Sequence, residues 1–224
     1  MLYSSGTGNG AVLLALSEAN GQVLWSAGLS NADISSPTVD DSGVYADYSC
    51  QPATGYNLDG TNRFTDLLPC TGAGGATTVL NGAHLYLPGA NTGRSAEIVS
   101  AANGVSSGTF GGTMLPAFDA TNMYVVASGA LAAVDKSGSP SHWSFTGDGA
   151  IDTTPVTTNG IVFTGSSSGN LYGIDSSTGA QVWTAVAPGP VSTTDDDYLM
   201  HTGLAAANGL LVVPAGGFLT AYTN

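Results

Sequence analysis

The sequence predicts an all-β fold: a β-propeller of four-stranded antiparallel blades, about five to six of them, with the first and last incomplete. Three observations lead there. Trp143 and Trp183 lie 40 residues apart, as do Asp135 and Asp175, each aspartate eight residues before its tryptophan; Ser17 stands eight before Trp25 in the same frame. Between these landmarks a short apolar strand, a turn and a second apolar strand recur. No stretch carries a useful run of helical periodicity. A repeat near forty residues is the length of one propeller blade.

The elements follow in order. Each blade takes four strands, A (inner) to D (outer). The A-to-B hairpin is marked by Pro37-Thr38-Val39 before Val44-Tyr45, Thr78-Val79-Leu80 before Leu85-Tyr86, and Pro116-Ala117-Phe118 before Met123-Tyr124. It recurs at Pro155-Val156 before Ile161-Val162-Phe163 and at Leu204-Ala205 before Leu210-Leu211-Val212. Asn81-Gly82, Asn159-Gly160 and Asn208-Gly209 are hairpin turn signals. Residues 1–28 supply B, C and D only. Residues 33–70, 74–110, 112–147 and 151–187 supply full blades, that at 74–110 with a degenerate D. Residues 200–224 supply A, B and C. The whole of 1–224 reads as a single domain. The gaps in the first and last blades do not complement each other, so the chain reads as an N-terminally truncated propeller.

Composition narrows the function classes. Of 224 residues 42% are hydrophobic and only 8% charged, which excludes charge-rich disorder and heptad coiled coils. Three basic residues (Arg63, Arg94, Lys136) face sixteen acidic ones, and a net charge of −13 repels nucleic-acid phosphates. No apolar run approaches the ~20 residues of a membrane span. Scarce lysine and abundant Ser, Thr and Gly fit an extracytoplasmic or secreted protein, although no signal peptide precedes Leu2-Tyr3-Ser4. Cys50 and Cys70 are compatible with one disulfide or with two buried thiols, and their spacing does not suit a structural zinc site.

The segment Gly173-Ile174-Asp175-Ser176-Ser177-Thr178-Gly179-Ala180-Gln181-Val182-Trp183 resembles the tryptophan-docking motif A-x-D-x-x-x-G-x-x-x-W of PQQ-like (quinoprotein) propellers, with Gly173 in the alanine place. Weaker copies are Ala133, Asp135 and Trp143, with Ser139 in the glycine place, and Ala15, Gly21 and Trp25, with Ser17 in the aspartate place. Blade two keeps only Asp59, and blade three shows no copy. The resemblance implies that Trp25, Trp143 and Trp183 wedge between blades, that Asp135 and Asp175 hold turns, and that Gly179 relaxes one. Quinoprotein dehydrogenases are longer and carry an adjacent cysteine pair, a calcium ion and a catalytic aspartate. This chain has no adjacent cysteines, so the resemblance implies the fold without PQQ.

Chemistry in propellers gathers where the A strands begin. Matching those starts places Asp152 and His201 in neighbouring blades, with Asp33 one residue from the matched position and Asp195-Asp196-Asp197 in the loop before blade six. Oxygen ligands suit calcium, and imidazole with carboxylate suits zinc or manganese. A metal held there lowers the pKa of a bound water and makes it a nucleophile. The plainer reading makes the acidic run solvated surface and His201 a strand-end residue. Gly165-Ser166-Ser167-Ser168-Gly169 has nucleophile-elbow spacing but falls in a B-to-C hairpin, which removes the strand-to-helix turn that chemistry needs.

Two functions are therefore expected. One is an extracytoplasmic PQQ-like repeat module that acts as a binding or assembly scaffold without a quinone site. The other is a metal-dependent ester or phosphate-ester hydrolase using Asp152 and His201. Unpaired blade edges are templates for other strands, so a homodimer is the expected assembly.

Overall fold

A computed structural model describes residues 2–5, 12–29, 36–48, 51–65, 75–88, 96–191 and 203–223. Their regular elements are all strands. They divide into two compact units, one within residues 1–108 and the other within 109–224.

In the first unit, β1 (Leu2–Ser5), β2 (Val12–Leu16) and β3 (Val23–Gly28) form a three-stranded antiparallel sheet in that order. These are the expected B, C and D strands of blade one. Blade two is β4 (Thr38–Val39), β5 (Val44–Tyr48), β6 (Gln51–Tyr56) and β7 (Asn62–Thr65). The short β8 (Gly75–Ala76) pairs with β5, so it joins the sheet of blade two although it lies within the 74–110 repeat. Blade three is β9 (Val79–Asn81), β10 (His84–Leu87), β11 (Glu97–Ser100) and β12 (Ser106–Thr109). Its D strand β12 reads Ser-Ser-Gly-Thr and is exposed throughout, as a strand without apolar side chains must be.

The second unit holds three blades. Blade four is β13 (Ala117–Phe118), β14 (Asn122–Ala127), β15 (Ala130–Asp135) and β16 (Ser141–Phe145). Blade five is β17 (Val156–Thr158), β18 (Ile161–Gly165), β19 (Asn170–Asp175) and β20 (Gln181–Val186). Blade six has three strands, β21 (Ala205–Ala207), β22 (Leu210–Ala215) and β23 (Phe218–Thr223).

The middle strands are apolar on both faces because each face meets a different blade. On β18, Val162 joins a core with Tyr124, Val126 and Leu131 of blade four. Its neighbour Phe163 joins a core with Leu204, Leu211 and Val213 of blade six. Alternation of period two thus feeds two cores from one strand. Similar cores link Leu13 to Val44 and Ala46, and Tyr45 to Leu85 and Val99.

Turn chemistry fixes the register. Asn159-Gly160 and Asn208-Gly209 both hold positive φ at each residue, the geometry of a two-residue type I′ hairpin. Where that pair is absent, an aspartate takes over the turn. Asp40 Oδ1 accepts the N–H groups of Ser42 and Gly43 at 2.8 and 2.9 Å, and Asp119 Oδ1 accepts those of Thr121 and Asn122 at 2.8 and 2.7 Å.

Candidate functional site

The C-to-D turns share one backbone pattern in all five blades that have both strands. At its start a residue's N–H and C=O close the turn: Asp175 N–H donates to Ala180 O at 2.8 Å, and Gly179 N–H donates to Asp175 O at 2.9 Å. The same pair of bonds joins Ser17 to Gln22 and Gly21, Asn57 to Thr61 and Gly60, Ser100 to Val105 and Gly104, and Asp135 to Pro140 and Gly138. Three expectations change as a result. Asn57, not Asp59, stands in the aspartate place of blade two, and Phe64 stands opposite Gly55 as Trp183 stands opposite Gly173. Blade three closes the same turn with Ser100 in the aspartate place and Gly104 in the glycine place, while Gly108 stands where the aromatic ring would be. In blade four Gly138, with φ +92°, fills the glycine place, not Ser139. A turn one residue shorter than the motif conceals blade two from a fixed-spacing reading, and in blade four it moves the glycine by one place.

The rings of Trp25, Phe64 and Trp143 each lie on the turn glycine of the next blade. A Cβ added at Gly60 would stand 2.8 Å from the Trp25 indole, one at Gly104 2.6 Å from the Phe64 ring, and one at Gly179 2.8 Å from the Trp143 indole. Only glycine permits both the contact and the positive φ there. The indole N–H is satisfied alongside: Trp25 Nε1 donates to Leu58 O at 2.9 Å and Trp143 Nε1 to Ser176 O at 3.0 Å. Tyr56 and Tyr124 flank these rings at centroid distances of 6.3 and 5.8 Å.

Trp183 differs. Its ring meets Phe163 and Tyr222 edge-on at 5.6 and 5.9 Å, but its N–H has no hydrogen-bond partner among the described residues. Where a C-to-D turn would seat, a cavity of about 270 Å³ opens instead, lined by Asn159, Ile161, Phe163, Leu211 and Tyr222 beside the indole. The sequence offers no motif for this slot. By register Ala221 of β23 corresponds to Gly173 of β19.

The remaining predicted residues are placed as follows. Asp175 Oδ1 accepts from the N–H and hydroxyl of both Ser177 and Thr178, at 2.6 to 3.1 Å, and these bonds hold its carboxyl below the usual range. Asp135 Oδ1 lies 3.0 Å from His142 Nε2 on the surface. Asp152 is half-buried at the start of blade five, and burial raises its carboxyl pKa, which works against the ionised form that a cation would need. Beside it Thr153 and Thr164 share a buried hydroxyl contact of 3.1 Å, and Thr154 Oγ1 is buried without a partner among the described residues. His201, Asp33, Asp195, Asp196 and Asp197, with Cys50 and Cys70, lie outside the described residues. Among the described residues no group of three or more His, Cys, Asp or Glu side chains could hold a metal ion.

A family model described as outer membrane protein assembly factor BamB matches residues 89–223, more than half of the chain. The chain belongs to this family of PQQ-like β-propeller repeat proteins. No curated protein matches it. Solved structures agree on the fold. BamB from Moraxella catarrhalis is 14% identical with a TM-score of 0.66, over 97% of this chain and 70% of that one. The computationally designed Ika8 protein is 13% identical with a TM-score of 0.73, over 99% of this chain and 67% of that one. Sqt1 from Saccharomyces cerevisiae is 12% identical with a TM-score of 0.68, over 98% and 68%. Among the described residues no helix is long and apolar enough to cross a membrane.

Proposed function

We propose that the protein is an extracytoplasmic binding or assembly scaffold without a quinone redox site. The observation that carries this reading is membership of a family described as an assembly factor. The use made of the carboxylates supports it: Asp40, Asp59, Asp119, Asp148 and Asp175 each spend their oxygens on hydrogen bonds within or between turns. A scaffold needs rigid blades and presented surface, and these bonds supply rigidity rather than chemistry. Self-association through unpaired strand edges is one form that such a scaffold can take.

The test has two arms. A photoreactive residue placed at exposed positions of each blade, in the cell, is expected to give discrete adducts with another polypeptide outside the cytoplasm. Purified protein supplied with PQQ and calcium, or with zinc or manganese and nitrophenyl esters or phosphate esters, is expected to show no turnover above the uncatalysed rate. Turnover abolished by Asp152→Ala would overturn the non-enzymatic reading.

A further inference from the structure

The D strands carry a bulge at one place. Trp25, Phe64, Trp143 and Trp183 stand opposite Ala15, Gly55, Ala133 and Gly173, and the register shifts directly beyond each pair. Leu24, Arg63, His142 and Val182 are the residues left over in these bulges. A bulge re-aims the side chain it carries. Leu24, His142 and Val182 are exposed, whereas Arg63 is partly buried and lies over the Tyr45 ring at 5.9 Å. Gly43 leaves it room, since a Cβ there would stand 3.2 Å from both terminal guanidinium nitrogens.

The guanidinium is fully used. Nε and Nη2 donate to Asn57 Oδ1 at 3.0 and 2.9 Å, Nη1 donates to the Tyr45 hydroxyl at 3.0 Å and to Ala101 O at 3.4 Å, and Nη2 also donates to Ser42 O. These bonds match the donors that a guanidinium owns, so none is left over for a ligand. Ala101 O is the acceptor that decides the reading. Ala101 follows Ser100, which opens the blade-three turn, as Leu58 follows Asn57 and Ser176 follows Asp175. Leu58 O and Ser176 O each accept an indole N–H, from Trp25 and Trp143. Phe64 seats on Gly104 as those indoles seat on Gly60 and Gly179, but a phenyl ring brings no donor.

We propose that Arg63 and Phe64 form a split docking element, in which Phe64 supplies the ring and Arg63 the N–H that a single tryptophan supplies in blades one and four. The pair clasps blade two to blade three. The same guanidinium holds the A-to-B turn of blade two through Ser42 and its C-to-D turn through Asn57, so one side chain fixes three turns. A planar fork with donors on two sides suits that task, and the point charge of a lysine does not.

Four proteins test the clasp: the parent, Arg63→Met, Phe64→Trp and the double variant. Arg63→Met keeps an unbranched stem and removes every donor, and is expected to lower the melting temperature by roughly 4–8 °C. Phe64→Trp alone is expected to bring no gain, because Ala101 O is already engaged. In the Arg63→Met background the same change is expected to recover roughly 2–4 °C, the worth of about one hydrogen bond. The recovery should be local. The Gly104 amide, bonded to Ser100 O, is expected to exchange faster in Arg63→Met and to slow again in the double variant, where the introduced indole adds a slowly exchanging signal to those of the three native tryptophans. Arg63→Lys keeps the charge without the fork and gives a milder second background, in which the same gain is expected if Arg63→Met does not fold. Equal effects of Phe64→Trp with and without Arg63, or an introduced indole N–H that exchanges freely in the double variant, would overturn the proposal. The comparison concerns a joint within the fold, so its failure leaves the scaffold reading standing.

Discussion

Trp143 and Trp183 occupy equivalent places in adjacent blades, yet their removal is expected to have unequal consequences. Truncating a fully buried tryptophan to alanine costs about 3–5 kcal/mol. Trp143 is half-buried, which lowers that range, but it also donates to Ser176 O, a bond of about 1 kcal/mol, and pairs with Tyr124 at 5.8 Å. Trp143→Ala is therefore expected to cost about 3 kcal/mol. Trp183 keeps aromatic contacts with Phe163 and Tyr222, but has no acceptor among the described residues and borders a cavity. Trp183→Ala is expected to cost about half as much, roughly 1.5 kcal/mol on the same scale. At about 2–4 °C per kcal/mol for a chain of this size, melting should drop by roughly 6–12 °C for Trp143→Ala and 3–6 °C for Trp183→Ala. Calorimetry or circular dichroism melts read both, and Trp143→Phe isolates the N–H at about 1 kcal/mol. Equal losses, or a larger loss at Trp183, would refute the reasoning from seated and unseated rings.

Other expectations follow from the same geometry. Gly179→Ala forces a Cβ against the Trp143 indole at positive φ and should cost about 2–3 kcal/mol in urea unfolding, whereas Gly82→Ala, at φ +59° with nothing within 4 Å, should cost about 1. For Asp119, burial alone would raise the carboxyl, but the Tyr124 hydroxyl and the N–H groups of Asn122 and Thr121 outweigh it and set the pKa below 3.8. A lowered folded pKa adds stability above the ordinary value and loses it as pH falls through the folded one, so Asp119→Asn should flatten the acid limb below pH 4 in denaturation midpoints. Tyr124 has the opposite sign: burial and the Asp119 carboxylate push its hydroxyl up to about 12, so the stability it brings is intact below pH 10 and lost as pH rises toward 12, and Tyr124→Phe should remove that alkaline limb. Asp152, raised by burial, should make Asp152→Asn more thermostable than the parent at pH 7 but not at pH 3; a lower melting temperature at pH 7 would show a carboxylate that the fold needs charged.

The repeat was legible because it is written in residues with narrow conformational uses. Asn-Gly at 159–160 and 208–209 leaves little choice but a type I′ hairpin, and Trp143 and Trp183, forty residues apart, need a recurring place to pack. What stayed hidden has physical causes. Blade two docks Phe64 through Asn57 and a shortened turn, because asparagine can close that backbone turn and phenylalanine can cover a glycine; a motif written for Asp and Trp at fixed spacing overlooks both. Blade three holds its turn with Ser100 and Gly104, whose backbone bonds need no particular side chain. Asp152 was legible as a position at an A-strand start but not as a half-buried carboxyl, since burial depends on strands far away in sequence.

Indole N–H exchange tests the central claim most directly. The chain has three tryptophans, so a ¹H–¹⁵N spectrum of the protein should show three indole signals. Trp25 and Trp143, bonded to Leu58 O and Ser176 O, are expected to exchange slowly, and Trp183 quickly. Three signals of equal protection would contradict the account.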